Sequence, residues 1–223
     1  MTDVLVCPDC QKVCKTKTGL VLHQKHCVKA PTPSVRSFLR TIAFIDAGQF
    51  RPASVSARLR LLPGKRFDWD RFGAFLSEIA GAELFDAHYF DGVEGDSATK
   101  QASFHQFLKN VLGFQMHFTH TREKLRSCPE CKKQYAEIEQ KGVDVNLALA
   151  MLKLAYSNAY DQALLCSGDG DFAPLARHLR ESMGKRVIVL GWMNSIAPAL
   201  RDAAYRTVIL NDHLDKIIGD KGF

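Results

Sequence analysis

From residue 39 onwards, short continuous apolar runs alternate with segments in which apolar residues recur every three or four positions. The run TIAFID ends in Asp46, and such a run is typical of a buried strand whose two faces are both covered. The segment WDRFGAFLSEIAG has helical spacing and ends in Gly81, which predicts a helix and its C-terminal stop. Strand and helix patterns then follow each other to the end of the chain.

Six strands and five helices are predicted in this way. The strands are LRTIAFIDAG, ELFDAHYFDG, FQMHFTH, QALLCS, KRVIVLG and RTVIL. The helices are WDRFGAFLSEIAG, SATKQASFHQFLKNVLG, VDVNLALAMLKLAYSNA, DFAPLARHLRESMG and SIAPALRDAA. Because the alternation extends over roughly 180 residues, it favours a parallel sheet with helices on both faces. The sequence therefore predicts an α/β sandwich over residues 39–218.

The segment before this domain divides into two parts. Residues 1–30 contain four of the seven cysteines. Residues 31–38 contain Pro31 and Pro33, which indicates a linker because proline prevents regular pairing. The start of the chain lacks the pattern of a signal peptide, and no apolar run approaches the length of about 18 residues that a membrane span needs. We therefore expect a cytoplasmic protein without a membrane partner, whose cysteines are thiols or metal ligands.

The first 30 residues have the spacing of a zinc finger of the two-Cys, two-His type, with cysteine in the last position. Two residues separate Cys7 from Cys10, and twelve more lead to His23. Three further residues lead to Cys27, with His26 as an alternative fourth ligand. This spacing is typical of a tetrahedral Zn²⁺ site, and a module of this size depends on its metal to fold.

The predicted finger carries no side chains that would read a DNA sequence. Its base-facing positions are Thr16, Gly19 and Leu22, and none of these makes the bidentate contacts that specify a base. The chain has a net charge of +6, half of it in the first 30 residues, which permits binding to a polyanion. We expect the finger to contact the RNA backbone or a protein partner.

Acidic residues collect where predicted strands end. Asp46 ends the first strand of the main domain, and Asp169 and Asp171 follow the strand QALLCS. Asp144 opens the long helix in line with its apolar stripe, which places it at the rim of the sheet. Helix capping explains one carboxylate per helix, but it does not explain Asp46. Converging carboxylates repel one another unless a cation lies between them, so a Mg²⁺ or Mn²⁺ site suited to phosphodiester hydrolysis is predicted.

Two segments, AFIDAGQF and KGVDVNLALAMLKLAYSNAYDQALLCSGDGDFAPLARHLRESMGKRVIVLGW, resemble the NYN domain, the LabA-like branch of the PIN-like nuclease superfamily. With the final strand, the resemblance covers about residues 40–215. It implies a three-layer, Rossmann-like PIN/NYN fold and metal-dependent endoribonuclease activity. The family's acidic residues fall on the four aspartates named above. The Ser167–Gly168 pair matches the loop that presents the last two of them.

Two positions depart from the pattern of this family. Gln49 stands where the family usually has asparagine, a change that only lengthens a polar contact. Tyr205 stands where the family often has an aspartate, and Asp202 lies one helical turn earlier. The second change removes an outer metal ligand. Both departures support the alternative of a non-catalytic RNA-binding or adaptor protein that retains the NYN fold.

A second cysteine pair lies in an insertion at about residues 117–135. Cys128 and Cys131 follow His117 and His120, a combination that predicts a structural Zn²⁺ site in an otherwise long loop. Residues three apart on a strand point to opposite faces, so both histidines reach one ion only if the strand ends early. Sites that use only the two cysteines, or two free thiols, are the alternatives.

Four side chains are predicted to contact the substrate: Ser167, Gln49, Lys100 and Arg177. The two cationic ones would bind phosphate groups. RNA is the expected partner, and DNA remains a second candidate because cleavage at a phosphate does not need the 2′-hydroxyl group. A homodimer is compatible with the sequence, which does not determine the oligomeric state.

Overall fold

The computed structural model describes residues 5–7, 13–14, 16–26, 39–50, 65–93, 100–120, 122–139 and 142–220. The chain divides into two units, residues 1–38 and residues 39–223. Among the helices so described, none has the length and apolar character to cross a membrane.

The first unit contains a short hairpin followed by a helix. β1 (Leu5–Val6) pairs antiparallel with β2 (Val13–Cys14), and α1 (Lys17–His26) follows. Thr16 Oγ1 accepts a hydrogen bond from the backbone N–H of Gly19 at 3.1 Å and so caps the first turn of α1. This order of elements is the one found in ββα zinc fingers.

Two of the four predicted finger ligands lie in the described residues. Cys7 is buried directly after β1, and His23 is half-buried on α1. Cys10 and Cys27 lie outside the described residues, as does the predicted linker 31–38. The zinc finger therefore stays a prediction.

A six-stranded parallel sheet forms the centre of the second unit, which confirms the predicted α/β class. Its strands are β3 (Thr41–Asp46), β5 (Asp86–Val93), β6 (Gln115–His120), β9 (Gln162–Cys166), β10 (Arg186–Gly191) and β11 (Arg206–Ile209). The remaining strands form two antiparallel pairs: β4 (Arg66–Phe67) with β12 (Ile218–Gly219), and β7 (Arg122–Ser127) with β8 (Gln134–Glu139).

Helices cover both faces of the sheet. They are α2 (Ala47–Phe50), α3 (Trp69–Ala80), α4 (Lys100–Asn110), α5 (Val143–Tyr156), α6 (Ala173–Glu181), α7 (Pro198–Ala203) and α8 (Leu214–Ile217). Ile42 and Phe44 of β3 pack in one core with α5, α6 and α7. Ala43 and Ile45 pack in a second core with α3, α4 and α8. Because both faces are covered, β3 is apolar at every position between Thr41 and its terminal aspartate.

Helix α3 begins and ends at residues with specific hydrogen-bonding or conformational roles. Asp68 Oδ1 accepts a hydrogen bond from Arg71 N at 3.0 Å and caps the first turn. Gly81 has a φ of 76° and ends the helix in the left-handed region, where glycine is favoured. The stop predicted at this glycine is confirmed.

The order of strands across the sheet is β11-β10-β9-β3-β5-β6. From β3 the chain builds outward through β5 and β6, and it then returns to the other side of β3 for β9, β10 and β11. The direction of winding therefore reverses between β3 and β9. In open parallel sheets, ligands bind beyond the carboxyl ends of the strands at such a reversal.

One segment differs from its prediction. The insertion around the second cysteine pair is expected from the sequence to be a loop, but β7 and β8 form a hairpin there, paired from Arg122 with Glu139 to Ser127 with Gln134. Its strands are rich in charged residues rather than apolar ones, so the segment lacks the apolar pattern by which a strand is recognised.

Candidate functional site

The predicted carboxylates all lie at the carboxyl edge of the sheet, where the winding reverses. Asp46 is the last residue of β3, and Asp169 follows the end of the neighbouring strand β9. Asp144 lies in the first turn of α5, which packs against β3. Asp171 lies two residues beyond Asp169 in a short 3₁₀ turn, Gly170–Phe172. The fold thus positions all four predicted side chains around one place.

Asp46 is held by hydrogen bonds to both of its carboxylate oxygens. Its Oδ1 accepts from the backbone N–H of Gly48 at 2.8 Å, and its Oδ2 accepts from Ser167 Oγ at 2.9 Å. The Ser167 hydroxyl oxygen in turn accepts from the backbone N–H of Asp169 at 3.3 Å. Asp46 is 8% exposed and Ser167 is fully buried. The hydroxyl of Ser167 therefore connects the two aspartates of adjacent strands.

Helix capping accounts for Asp169 but not for Asp144. Asp169 Oδ1 accepts a hydrogen bond from Asp171 N at 2.9 Å and caps the 3₁₀ turn. Helix α5 begins after Gly142 and has no side-chain cap, so the exposed carboxylate of Asp144 makes no capping bond. Asp171 is also exposed, and α6 has no side-chain cap. The alternative of Asp144 and Asp171 as simple caps is therefore wrong.

The carboxylates act on one another electrostatically. Burial raises the pKa of Asp46, and the charges of Asp144 and Asp169 raise it further. Partial burial also raises the pKa of Asp144, together with the charges of Asp169 and Asp171. The hydrogen bonds from Gly48 and Ser167 lower the pKa of Asp46 without cancelling this effect. The site therefore favours a proton or a cation over four bare negative charges.

The donor set and its charge suit a hard divalent cation, which prefers carboxylate oxygens. In the part of the chain that the structure describes, no three His, Cys, Asp or Glu side chains form a group close enough to hold a metal ion. The carboxylates are close enough to act on one another electrostatically, but they do not form a compact group. Two of them, Asp144 and Asp171, are exposed.

A backbone contact holds the loop directly after β9, which contains Gly168 and Asp169. The backbone N–H of Ala197 donates to Gly168 O at 2.9 Å, and a Cβ added at Gly168 would lie 2.1 Å from Ser195 O. Only glycine allows this approach of two backbones. Gln49 Oε1 lies 3.3 Å from Ser195 Oγ, and Gln49 O accepts from Trp192 Nε1 at 3.2 Å. Gln49 is thus part of the contact that positions this loop.

The position of Tyr205 corrects one expectation. Tyr205 directly precedes β11, which runs parallel to β10, so it lies at the amino edge of the sheet. Arg186, the first residue of β10, places its guanidinium 5.3 Å from the centre of the Tyr205 ring. The carboxylates lie at the opposite edge. A side chain at position 205 therefore cannot act as an outer metal ligand, and this departure from the family pattern does not weaken the site.

The predicted phosphate-binding residues lie on helices that flank the sheet. Arg177 is exposed on α6, one turn after the 3₁₀ segment that carries Asp171. Lys100 is the first residue of α4, and its side chain lies outside the described residues. A phosphate-binding role for either residue stays a prediction.

The four predicted ligands of the second zinc site do not come together. His117 Nε2 lies 2.8 Å from His88 Nδ1, and the His117 ring stacks on Phe90 with 4.4 Å between centroids. Burial lowers the pKa of His117 and so favours its neutral form. His120 is exposed, three residues further along β6. The full set of four ligands is therefore not assembled, because packing between β5 and β6 holds His117.

Comparison with known proteins identifies the family. Residues 40–211 match the NYN domain, so the chain belongs to the NYN domain family. A solved structure of similar fold is the protein of unknown function VPA0982 from Vibrio parahaemolyticus RIMD 2210633. It has a TM-score of 0.58 and 22% sequence identity, and the match covers 82% of this chain and 98% of that one. None of the curated proteins matches the sequence. The family indicates a nuclease-like function related to RNA.

Four residues contribute to this site through contacts that local sequence patterns do not specify. The roles of Ser195 and Trp192 depend on a contact between distant segments that no local pattern reveals. The small pair Ser167–Gly168 directly before an aspartate is the local signal from which the close backbone approach at Gly168 could be inferred. The Ser167 bond to Asp46 joins residues 121 positions apart.

We expect Asp46→Asn to raise the melting temperature at neutral pH in metal-free buffer. Burial and nearby carboxylates raise the pKa of Asp46, so its ionised form destabilises the fold by about 1.4 kcal/mol for each unit of elevation. As the pH falls through that pKa, the folded wild type takes up the proton before the unfolded chain does. Its stability then rises and the difference disappears. Thermal unfolding of both proteins from neutral to acidic pH measures this.

Asp202→Asn is the matched control for this experiment, since Asp202 is exposed on the last turn of α7 at the amino edge. It should leave the melting temperature unchanged. An Asp46→Asn protein that is less stable than wild type throughout the pH range would contradict the expected electrostatic cost.

We expect Gly168→Ala to lower the free energy of unfolding by about 1–3 kcal/mol, the usual range for overpacking, because the added Cβ meets Ser195 O. Gly73→Ala is the control, since an added Cβ at this position of α3 meets nothing within 4 Å. It should stabilise the protein by about 1 kcal/mol through helix propensity. Urea unfolding of both variants distinguishes the two effects, and equal stability of the two would contradict the close backbone contact.

Proposed function

We propose that this protein is a metal-dependent endoribonuclease whose active site is the cleft between the carboxyl ends of β3 and β9. The observation that carries the proposal is the hydrogen bond from the Ser167 hydroxyl to Asp46. It connects the ends of the two central strands, and the same hydroxyl accepts a hydrogen bond from the backbone of Asp169. Burial and neighbouring carboxylates raise the pKa of Asp46 and of Asp144, which supports a cation-binding role for this group. The NYN family supports a nuclease-like activity on RNA.

Asp46, Asp144, Asp169 and Asp171 would hold Mg²⁺ or Mn²⁺. Such an ion supplies a Lewis acid that activates water and neutralises charge at the scissile phosphate. Asp46 is the fixed member of the set, since two hydrogen bonds orient its carboxylate. The exposed carboxylates of Asp144 and Asp171 are free to adjust to the substrate side of the cleft. Protons compete with cations for Asp46, so affinity for the ion should increase as the pH rises through its pKa.

The N-terminal finger would bind RNA or a protein partner, in addition to the nuclease activity of the main domain. Its Zn²⁺ ligands would be Cys7, Cys10, His23 and Cys27. Its hairpin and helix support that role, and its basic charge suits a phosphate backbone. RNA is the proposed substrate, and single-stranded DNA of the same sequence is the comparison that tests the choice of sugar.

A non-catalytic RNA-binding or adaptor protein is the second candidate. The observation that favours it is the separation of the acidic side chains, since no three of them are grouped for a metal within the described residues. Both candidates predict RNA binding. They differ in whether the cleft carboxylates are required for cleavage.

The deciding experiment incubates end-labelled single-stranded RNA with wild type, Asp169→Asn and Asp202→Asn in Mg²⁺, in Mn²⁺ and in EDTA. We expect cleavage by wild type and Asp202→Asn in either metal, and a loss of at least about 100-fold in Asp169→Asn, the scale of removing one catalytic group. RNA affinity should be equal in all three proteins. Intact RNA in every condition, with binding preserved, would establish the adaptor.

Metal binding has its own readout, which does not depend on turnover. Mg²⁺ or Mn²⁺ should raise the melting temperature of wild type, because an ion that binds only the folded state stabilises it. Asp46→Asn should show little or no increase. An equal increase in both proteins would place the ion elsewhere on the chain.

We expect Arg177→Ala to weaken RNA binding and to lower the slope of log affinity against log salt by about 1, the effect of losing one phosphate contact. Arg201→Ala is the charge-matched control, since Arg201 is exposed on α7, which ends at the amino edge. It should keep the wild-type slope. Fluorescence anisotropy over a salt series measures both, and identical slopes for the two variants would contradict a role for Arg177.

A further inference from the structure

The turn between β7 and β8 holds two cysteine side chains against each other. Cys128 and Cys131 occupy the turn of the hairpin, and both are free thiols. Cys128 Sγ accepts hydrogen bonds from the Cys131 thiol and from the backbone N–H groups of Glu130 and Cys131. Cysteine binds metals as the thiolate.

Backbone bonds fix the shape of this turn. Cys128 N donates to Lys133 O at 2.9 Å, and Lys132 N donates to Cys128 O at 3.0 Å. Lys132 has a φ of 58°, a conformation that is uncommon for a residue with a side chain. The two backbone bonds and this left-handed residue fix the turn that holds Cys128 and Cys131.

The hairpin exposes apolar side chains on both of its faces. A two-stranded hairpin is marginal in water unless it packs on something or is cross-linked. Leu125 is 70% exposed and Tyr135 is 51% exposed, and they belong to neighbouring cross-strand pairs, so they lie on opposite faces. A metal ion at the turn and a cover for one of these faces would both stabilise it.

Two thiolates are half of what zinc takes in a structural site, which has four ligands. No His, Cys, Asp or Glu of the described residues joins Cys128 and Cys131 as a third ligand. A second copy of the same turn, related by a two-fold axis through the ion, supplies two more thiolates and completes a tetrahedron.

We propose that Cys128 and Cys131 form half of a four-cysteine zinc site, and that a second copy of this chain completes it through the same two residues. Each thiol loses its proton to solvent as it binds, so no oxidant or reductant is needed. The site would also bring the exposed apolar side chains of two hairpins together. This proposal does not depend on the nuclease activity.

The test compares the zinc content and the mass in solution of the full-length wild type with those of the double variant Cys128→Ser, Cys131→Ser. Zinc held elsewhere in the chain cancels in the difference. We expect the variant to lose half an equivalent of zinc per chain and to change from dimer to monomer by light scattering. Cys166→Ala removes a thiol that is fully buried in β9, and this control should keep both zinc and dimer.

A chelator provides a second measurement that needs no variant. Wild type stripped of metal should become monomeric, and adding zinc back should restore the dimer with the recovery of half an equivalent at this site. Loss of a whole equivalent in the double variant without a change in mass would place the missing ligands in the same chain and overturn the proposal. Unchanged zinc content would overturn it as well.

Discussion

Parallel pairing of β3 with β9, from Thr41 with Gln162 to Ile45 with Cys166, positions the whole carboxyl edge of the sheet. The register brings the end of one strand beside the end of the other, so that Ser167 Oγ reaches Asp46 Oδ2 at 2.9 Å. It also places the site where the winding direction of the sheet reverses, the position at which open parallel sheets bind their ligands. The two apolar cores on either side keep these strands in place and exclude water from their backbones.

The site carries an energetic cost that the rest of the domain has to offset. A buried carboxylate beside two others favours protonation, and the hydrogen bonds to Asp46 reduce that penalty without removing it. Gly168 adds a second constraint, because its contact with Ser195 leaves no room for a side chain. Shifted pKa values and strained backbone contacts are common at functional sites. Such features lower the free energy of unfolding of the domain. Burial of apolar side chains in the two cores of the domain provides the stability that offsets this cost.

Departures from a family pattern have meaning only once their place in the fold is known. Tyr205 replaces a frequent aspartate, yet it precedes β11 and lies at the edge opposite the cleft, where it stacks with Arg186. Gln49 replaces an asparagine, and it lies in the contact between the end of β3 and the loop after β10. The first change is remote from the chemistry, whereas the second acts on the loop that holds Asp169.

The sequence alone determined the fold class, the layers of the sheet and which aspartates follow which strands, because hydrophobic periodicity reports burial locally. It could not determine strand order, since pairing depends on contacts such as Ser167 with Asp46 between residues far apart in the chain. It predicted zinc ligands His117 and His120 by spacing, whereas in the structure His117 packs against His88 and Phe90, and no group of three such ligands is found among the described residues. The sequence also did not predict the hairpin of β7 and β8, because these strands are rich in charged residues and lack the apolar pattern of a buried strand. Local chemistry is readable from spacing, whereas the meeting of distant side chains is decided by the tertiary packing that brings them together.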